Sequence, residues 1–260
     1  MLERLARETK TILCFGIDPD LKKIPNGTSA DAIVPYYSEL VDALLEERQI
    51  AALKPNYAYF AQYGFEGLHA LKALMDRYRN KTLLIFDGKR GDIGKSSQAY
   101  AREMYDFWGA DACTVSPYMG EDSVKSFLQK NKLPYLLCRT SNAGAKDLQE
   151  QKLAGGEVVY TTIAKKAMDW KCGLVVGATS GSIQEIVKIT KNKTPLLIPG
   201  IGAQGGDLDM VLKAIQGNLP IHRINASSSL AFAHEKHSGK PAESTLKEAQ
   251  KLNEKIRAYL

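Results

Sequence analysis

Short runs of Val, Ile, Leu and Phe recur along the chain, each too short for a helix and most followed by Gly, Pro, Asp or Ser. Apolar residues at consecutive positions over such lengths mark strands that are covered on both faces. They fall at 12–18 (ILCFGID), 50–54 (IAALK), 82–87 (TLLIFD), 112–116 (ACTVS), 135–140 (YLLCRT), 173–178 (GLVVGA), 195–199 (PLLIP) and 221–226 (IHRINA). Between them the apolar positions take a helical period. The clearest stretch is 29–48, where Ile33, Val34, Tyr37, Leu40, Val41, Leu44 and Leu45 share one face and Ser29 or Asp31 is placed to cap the start. Phe65, Leu68, Leu71, Leu74, Met75 and Tyr78 form a second stripe, and Val211, Ala214 and Ile215 a third. A last helix is expected from near Glu243 to Tyr259.

Eight strand-then-helix units with no break in composition predict an α/β fold, a (β/α)8 TIM barrel that forms a single domain over residues 1–260. An open doubly wound sheet would normally need fewer strands. In such a barrel, chemistry is carried where the strands end and the following loops begin. The polar residues that close each run are therefore the candidates: Asp18, Lys54, Asp87 with Lys89, Ser116, Ser141, the glycine-rich turn at 200–206, and Asn225 to Ser228.

Composition narrows the partners. At 44% hydrophobic and 25% charged the chain is neither disordered nor collagen-like. The net charge of +6 is spread over both halves, with no basic tail, stripe or aromatic ladder, which suits an anionic small molecule better than nucleic acid. Cys14, Cys113, Cys138 and Cys172 are widely spaced and have no C-x-x-C pair or nearby His, so buried reduced thiols are expected rather than disulfides or a metal site. His234 and His237 read as a surface turn rather than a metal pair. The charged N-terminus MLERLARETK lacks a signal-peptide core, and no apolar run approaches the roughly 18 residues of a membrane span. A soluble cytoplasmic protein with no membrane partner is expected.

The densest chemistry lies in FDGKRGDIG at 86–94. Asp87 and Lys89 are two apart, so they point to one face while the chain stays extended, and Gly88, Gly91 and Gly94 allow it to turn sharply afterwards. Lys54 ends the second apolar run, and in a barrel its head falls beside Asp87. After the seventh run, PGIGAQGGD at 199–207 combines a glycine-rich turn with a following helix, a place where backbone N–H groups can close on a phosphate.

With these three motifs in this order, the whole chain resembles the orotidine 5′-phosphate decarboxylase family. DGKRGDI at 87–93 is similar to the family's DxKxxD signature, LKPN around Lys54 to its strand-two lysine, and GIGAQGGD at 200–207 to its phosphate loop. The resemblance implies decarboxylation of orotidine 5′-monophosphate to UMP, the last step of de novo pyrimidine synthesis. It implies Lys89 as proton donor to C6 of the pyrimidine, flanked by Asp87 and Lys54. In a homodimer, the partner's copy of Asp92 would complete a Lys-Asp-Lys-Asp network, and Ile93 and Ser96 would reach across the interface to the nucleotide. Asp18 would bind ribose hydroxyls, Ser141 the pyrimidine edge, and Gln204, beside Gly202, would bridge base and phosphate. The chain departs from the family at INASSS, 224–229, where Ser228 stands in place of the usual phosphate-gripping arginine. Nothing in the sequence marks a site for pyridoxal phosphate, thiamine or another electron sink, so no cofactor and no metal are expected, and the chemistry would be electrostatic. With barrel signals beginning at residue 12, a monofunctional chain without a fused phosphoribosyltransferase is expected. Two other readings share parts of the pattern: a Mg2+-dependent sugar-phosphate decarboxylase or aldolase on the same barrel, and a non-catalytic nucleotide-phosphate binding protein.

Overall fold

The computed structural model describes residues 1–179, 181–201, 206–237 and 239–260. Eight parallel strands close a barrel in chain order: β1 (Leu13–Ile17), β2 (Ala52–Pro55), β3 (Leu83–Arg90), β4 (Ala112–Val115), β5 (Leu133–Arg139), β6 (Gly173–Val176), β7 (Leu196–Pro199) and β8 (Arg223–Ala226), which returns to pair with β1. All eight lie on the apolar runs predicted for them, and helices alternate with them around the outside.

The strands are apolar at consecutive positions because both faces are covered. Cys14, Ala52, Leu83, Ile85, Ala112, Tyr135, Val175 and Leu197 pack together inside the barrel. Their chain neighbours Phe15, Leu53, Leu84, Phe86, Cys113, Leu136, Leu174 and Leu196 join the larger core between strands and helices. Side chains alternate along a strand, so one more inward step past this layer reaches Lys54, Asp87, Thr114 and Leu137. The corresponding residue of β1 is Gly16, where an added Cβ would fall 1.9 Å from Ser227 Oγ. The same alternation sets the top inward layer, and that layer is polar on β2, β3 and β4.

At the opposite end, the helix Leu2–Thr9 closes the barrel. The buried Arg223 guanidinium donates to the carbonyls of His222 (2.6 Å), Leu2 (2.7 Å) and Pro220 (3.1 Å), so its charge is committed to the barrel floor.

Three local expectations are corrected. The predicted 29–48 helix is a 3-10 turn, Ala30–Ala32, followed by an α-helix, Ile33–Glu46. Neither Ser29 nor Asp31 caps it, because the Ser29 hydroxyl donates to the Asp31 carboxylate at 3.3 Å instead of a backbone N–H. Phe65 is 78% exposed, since it sits in the first turn of Gly64–Tyr78, outside the stripe that Leu71, Leu74, Met75 and Tyr78 bury. The last helix is Pro241–Arg257 and opens on proline, whose fixed φ suits a first helical turn.

All four cysteines are free and buried, and burial pushes each thiol upward, Cys14 and Cys113 to about 12. His234 Nδ1 lies 3.3 Å from the Tyr36 hydroxyl, and His237 Nε2 lies 3.5 Å from Glu248. Among the described residues, no helix is long and apolar enough to cross a membrane.

Candidate active site

A cavity of about 650 Å³ opens at the C-terminal end of the barrel, lined by side chains from all eight strands or the loops that follow them. That volume suits a small ligand largely enclosed by protein. Its wall is uneven: Lys54, Asp87, Lys89 and Thr114 come from β2 to β4, whereas Leu137, Val175 and Leu197 come from β5 to β7.

The charged part is one connected array. Lys54 Nζ donates to Asp87 Oδ2 at 2.9 Å and Lys89 Nζ to Asp87 Oδ1 at 2.7 Å. The Thr114 hydroxyl donates to the same Oδ1 at 2.8 Å and accepts the Lys89 backbone N–H at 2.9 Å. Lys54 and Asp87 are buried, while the Lys89 side chain is 47% exposed at the cavity floor. Burial works to raise the Asp87 carboxyl, but the Lys54 and Lys89 ammonium groups and their hydrogen bonds outweigh it and hold the group well below the usual carboxylate range. Burial likewise works to lower Lys54, and Asp87, with a smaller contribution from Asp18, holds it above the ordinary lysine range. Lysine and aspartate are therefore fixed in their charged forms, as a buried pair must be to persist.

β3 does not stay extended as the spacing suggested. Its pairing with β4 is irregular between Phe86 and Arg90, and Lys89 itself takes a left-handed φ of 47°. Lys89 still reaches Asp87 because its side chain is long. Of the three glycines, only Gly94 has a positive φ, 53°. Gly88 is needed for space, since a Cβ there would lie 2.7 Å from the Phe86 ring.

Asp18, Ser141 and Ser228 line the cavity together with this array. Buried Asp18 Oδ1 and Asn225 Oδ1 accept no hydrogen bond among the described residues, which leaves two acceptors suited to hydroxyl or N–H donors of a ligand. Asp92, Ile93 and Ser96 are not part of the lining. Asp92 Oδ1 accepts the Ile93 N–H at 2.8 Å, and Ile93 is 56% exposed. Ser116 also lies away from the cavity wall; its N–H donates to Arg90 O at 2.7 Å and braces the end of β3. Gly202 and Gln204 lie outside the described residues. Thr114 was missed in the sequence because threonine is an ordinary strand residue inside ACTVS. Its inward parity, two beyond Ala112, was the available signal.

A profile of the Orotidine 5'-phosphate decarboxylase / HUMPS family matches residues 11–236. The chain belongs to this family. The orotidine 5'-phosphate decarboxylase of Roseiflexus sp. (strain RS-1) is 39% identical over 237 residues, covering 88% of this chain and 86% of that protein. The enzyme of the same name from Polaromonas naphthalenivorans is 38% identical over 270 aligned positions, covering 99% and 94%. Among solved structures, an OMP decarboxylase from Leishmania donovani superposes with a TM-score of 0.81 at 31% identity, covering 99% of this chain and 98% of its own. Family membership and the eight-stranded barrel thus agree with the resemblance carried by the three motifs, and the coverage extends over nearly the whole barrel.

Proposed function

We propose that this chain decarboxylates orotidine 5′-monophosphate to UMP, acting as a carboxy-lyase in pyrimidine biosynthesis. The observation that carries the reading is the Lys54–Asp87–Lys89 array, with bonds of 2.9 and 2.7 Å, at the floor of a cavity large enough for a nucleotide. Curated relatives aligned over most of the chain carry that activity in their names.

In this reading the substrate carboxylate lies against Asp87 while the pyrimidine C6 faces the Lys89 ammonium. The bond from C6 to the carboxylate breaks, CO2 leaves, and its electron pair stays on C6. Lys89 then gives that carbon a proton, and the resulting neutral amine regains one from solvent. Two carboxylates about 4 Å apart repel by roughly 4 kcal/mol at an effective dielectric near 20, against the ~23 kcal/mol that enzymatic acceleration can require. Repulsion is thus a minor contribution. A fixed ammonium where the carbanion forms, in a site that excludes water, carries more of the barrier reduction. The apolar wall of Leu137, Val175 and Leu197 favours a neutral departing molecule over a charged carboxylate.

Asp18 is assigned to the ribose hydroxyls, supported by its unpartnered buried oxygen, and Ser141 to the pyrimidine edge. Gly202, Gln204 and Ser228 are assigned to the phosphate end, where serine hydroxyl and backbone N–H groups take the role of a guanidinium. Asp92, Ile93 and Ser96 are assigned to the neighbouring subunit's site in a homodimer, which fits their position outside their own cavity. Residues 1–260 act as one catalytic barrel, in the cytoplasm, with no cofactor or metal.

An absorbance assay following loss of orotidylate in EDTA-containing buffer tests this. Wild-type chain is expected to turn over, and Lys89→Ala to lose at least about 10³-fold in kcat while still binding UMP. Substantial turnover by Lys89→Ala, or turnover only when Mg2+ is restored, contradicts the reading.

A further inference from the structure

Resting on the decarboxylase reading, we infer that Thr114 is a positioning residue: one hydroxyl that fixes both the Asp87 carboxylate and the backbone that carries Lys89. Its Oγ1 lies 2.8 Å from Asp87 Oδ1 and 2.9 Å from the Lys89 backbone nitrogen. Chemistry sets the directions. An ionised carboxylate only accepts and an amide N–H only donates, so the single hydroxyl proton goes to Asp87 and an oxygen lone pair receives Lys89.

The scaffold behind this hydroxyl is stiff. Thr114 is buried on the inward face of β4, its branched side chain has few rotamers, and its neighbours Cys113 and Val115 are packed into the outer core. Lys89 is the opposite case. It sits where β3 loses regular pairing, in a left-handed conformation that residues with a side chain rarely adopt. The bond from its N–H to Thr114 replaces a ladder partner there and holds the turn that aims the ammonium into the cavity.

A second consequence concerns the catalytic cycle. Before reaction, Asp87 Oδ1 accepts from both Lys89 Nζ and Thr114 Oγ1, while Oδ2 accepts from Lys54. When Lys89 passes its proton to C6, the remaining amine is uncharged. Asp87 then still has Thr114 on one oxygen and Lys54 on the other. The carboxylate keeps its place until Lys89 is reprotonated.

Thr114→Val removes the hydroxyl at nearly constant shape, and Thr114→Ser keeps it. The valine variant is expected to lose about 10- to 100-fold in kcat, the range for a hydrogen bond to a charged group. Its KM and its affinity for UMP should stay within about threefold of wild type, as for a group that acts on the transition state. The acidic limb of its kcat profile should move to higher pH, because Asp87 has lost a donor to its charged form. Thr114→Ser should retain kcat within about threefold. If the valine variant does not fold, Thr114→Ala is read by the same criteria. Wild-type kcat in the hydroxyl-free variant, or equal losses in the serine and hydroxyl-free variants, overturns the role of Thr114 and leaves the decarboxylase reading intact. A wild-type chain that does not turn over orotidine 5′-monophosphate overturns both.

Discussion

Asp87 serves two ammonium groups at once, and removing either leaves a buried charge with less compensation. Buried ion pairs of this kind seldom stabilise a fold more than apolar residues of the same volume would, so the array is better explained by chemistry than by folding. His222 shows the contrasting solution. It is fully buried, its Nδ1 accepts the Leu196 N–H at 3.1 Å, and its Nε2 lies 2.9 Å from Asn192 Oδ1, an arrangement that requires the neutral ring. Burial, with a smaller push from the Arg223 charge, lowers it from 6.5 to about 3. Between those two values the unfolded chain binds the proton and the folded chain does not, so stability is full above 6.5 and falls as pH drops. The slope is at most about 1.4 kcal/mol per pH unit. Asp87 acts in the same direction only lower down, below its ordinary 3.8. Chemical denaturation of His222→Gln from neutral to mildly acidic pH should show a flatter dependence than wild type; an unchanged slope would mean that another group dominates. His222 looked like an unremarkable strand residue in IHRINA, since a lone histidine does not reveal whether it is buried. Lys54, Asp87 and Lys89 were readable because they close apolar runs near the barrel mouth and line the cavity there, whereas Arg90 and Arg139, which also end strands, pair with Glu103 and Glu150 outside it.

The strands were legible for the reason that makes them stable: burial on both faces removes most polar positions, and those that remain are the site residues and a few arginines with committed partners, Arg90, Arg139 and Arg223. Boundaries were less so. β3 runs on to Arg90, past the predicted end at Asp87, because tertiary bonds from Ser116 N–H to Arg90 O and from Lys89 N–H to Thr114 Oγ1 extend it. No local propensity encodes those partners. Capping failed at Ser29 for a similar reason, as a neighbouring carboxylate competes for its hydroxyl. Close approach between elements was equally invisible. Just past the end of β6, a Cβ on Gly177 would lie 2.7 Å from both the N and Cα atoms of Ser141, the second residue past β5. Backbone atoms on both sides cannot yield cheaply. Gly177→Ala is expected to cost about 1–3 kcal/mol in a denaturant titration. It should also raise KM more than it lowers kcat, because the displaced residue is one assigned to the pyrimidine edge. Wild-type stability together with wild-type KM would show that the β5–β6 gap is not tight.

For the whole molecule, the proposed homodimer means that one chain alone does not make a complete site. The loops after the adjacent strands β3 and β4 expose Ile93 (56%), Tyr118 (88%) and Met119 (48%), and Asp92, on the first of these loops, is not in the lining of its own cavity. In the proposed two-fold dimer each site takes Lys89 from one subunit and Asp92 from the other. Sequence spacing could not say which chain a residue serves, since cis and trans arrangements read identically along the backbone. Mixing two inactive proteins separates them. In a dimer of one Lys89→Ala chain and one Asp92→Ala chain, the trans arrangement puts both lesions in one site and leaves the other intact. Random reassortment of equal amounts makes half of the dimers mixed, so about one quarter of wild-type activity should return. If Asp92 serves its own subunit, every site in the mixture carries a lesion and nothing returns. Sedimentation of the wild-type chain supplies the independent check, because a monomer with full activity is incompatible with a shared site.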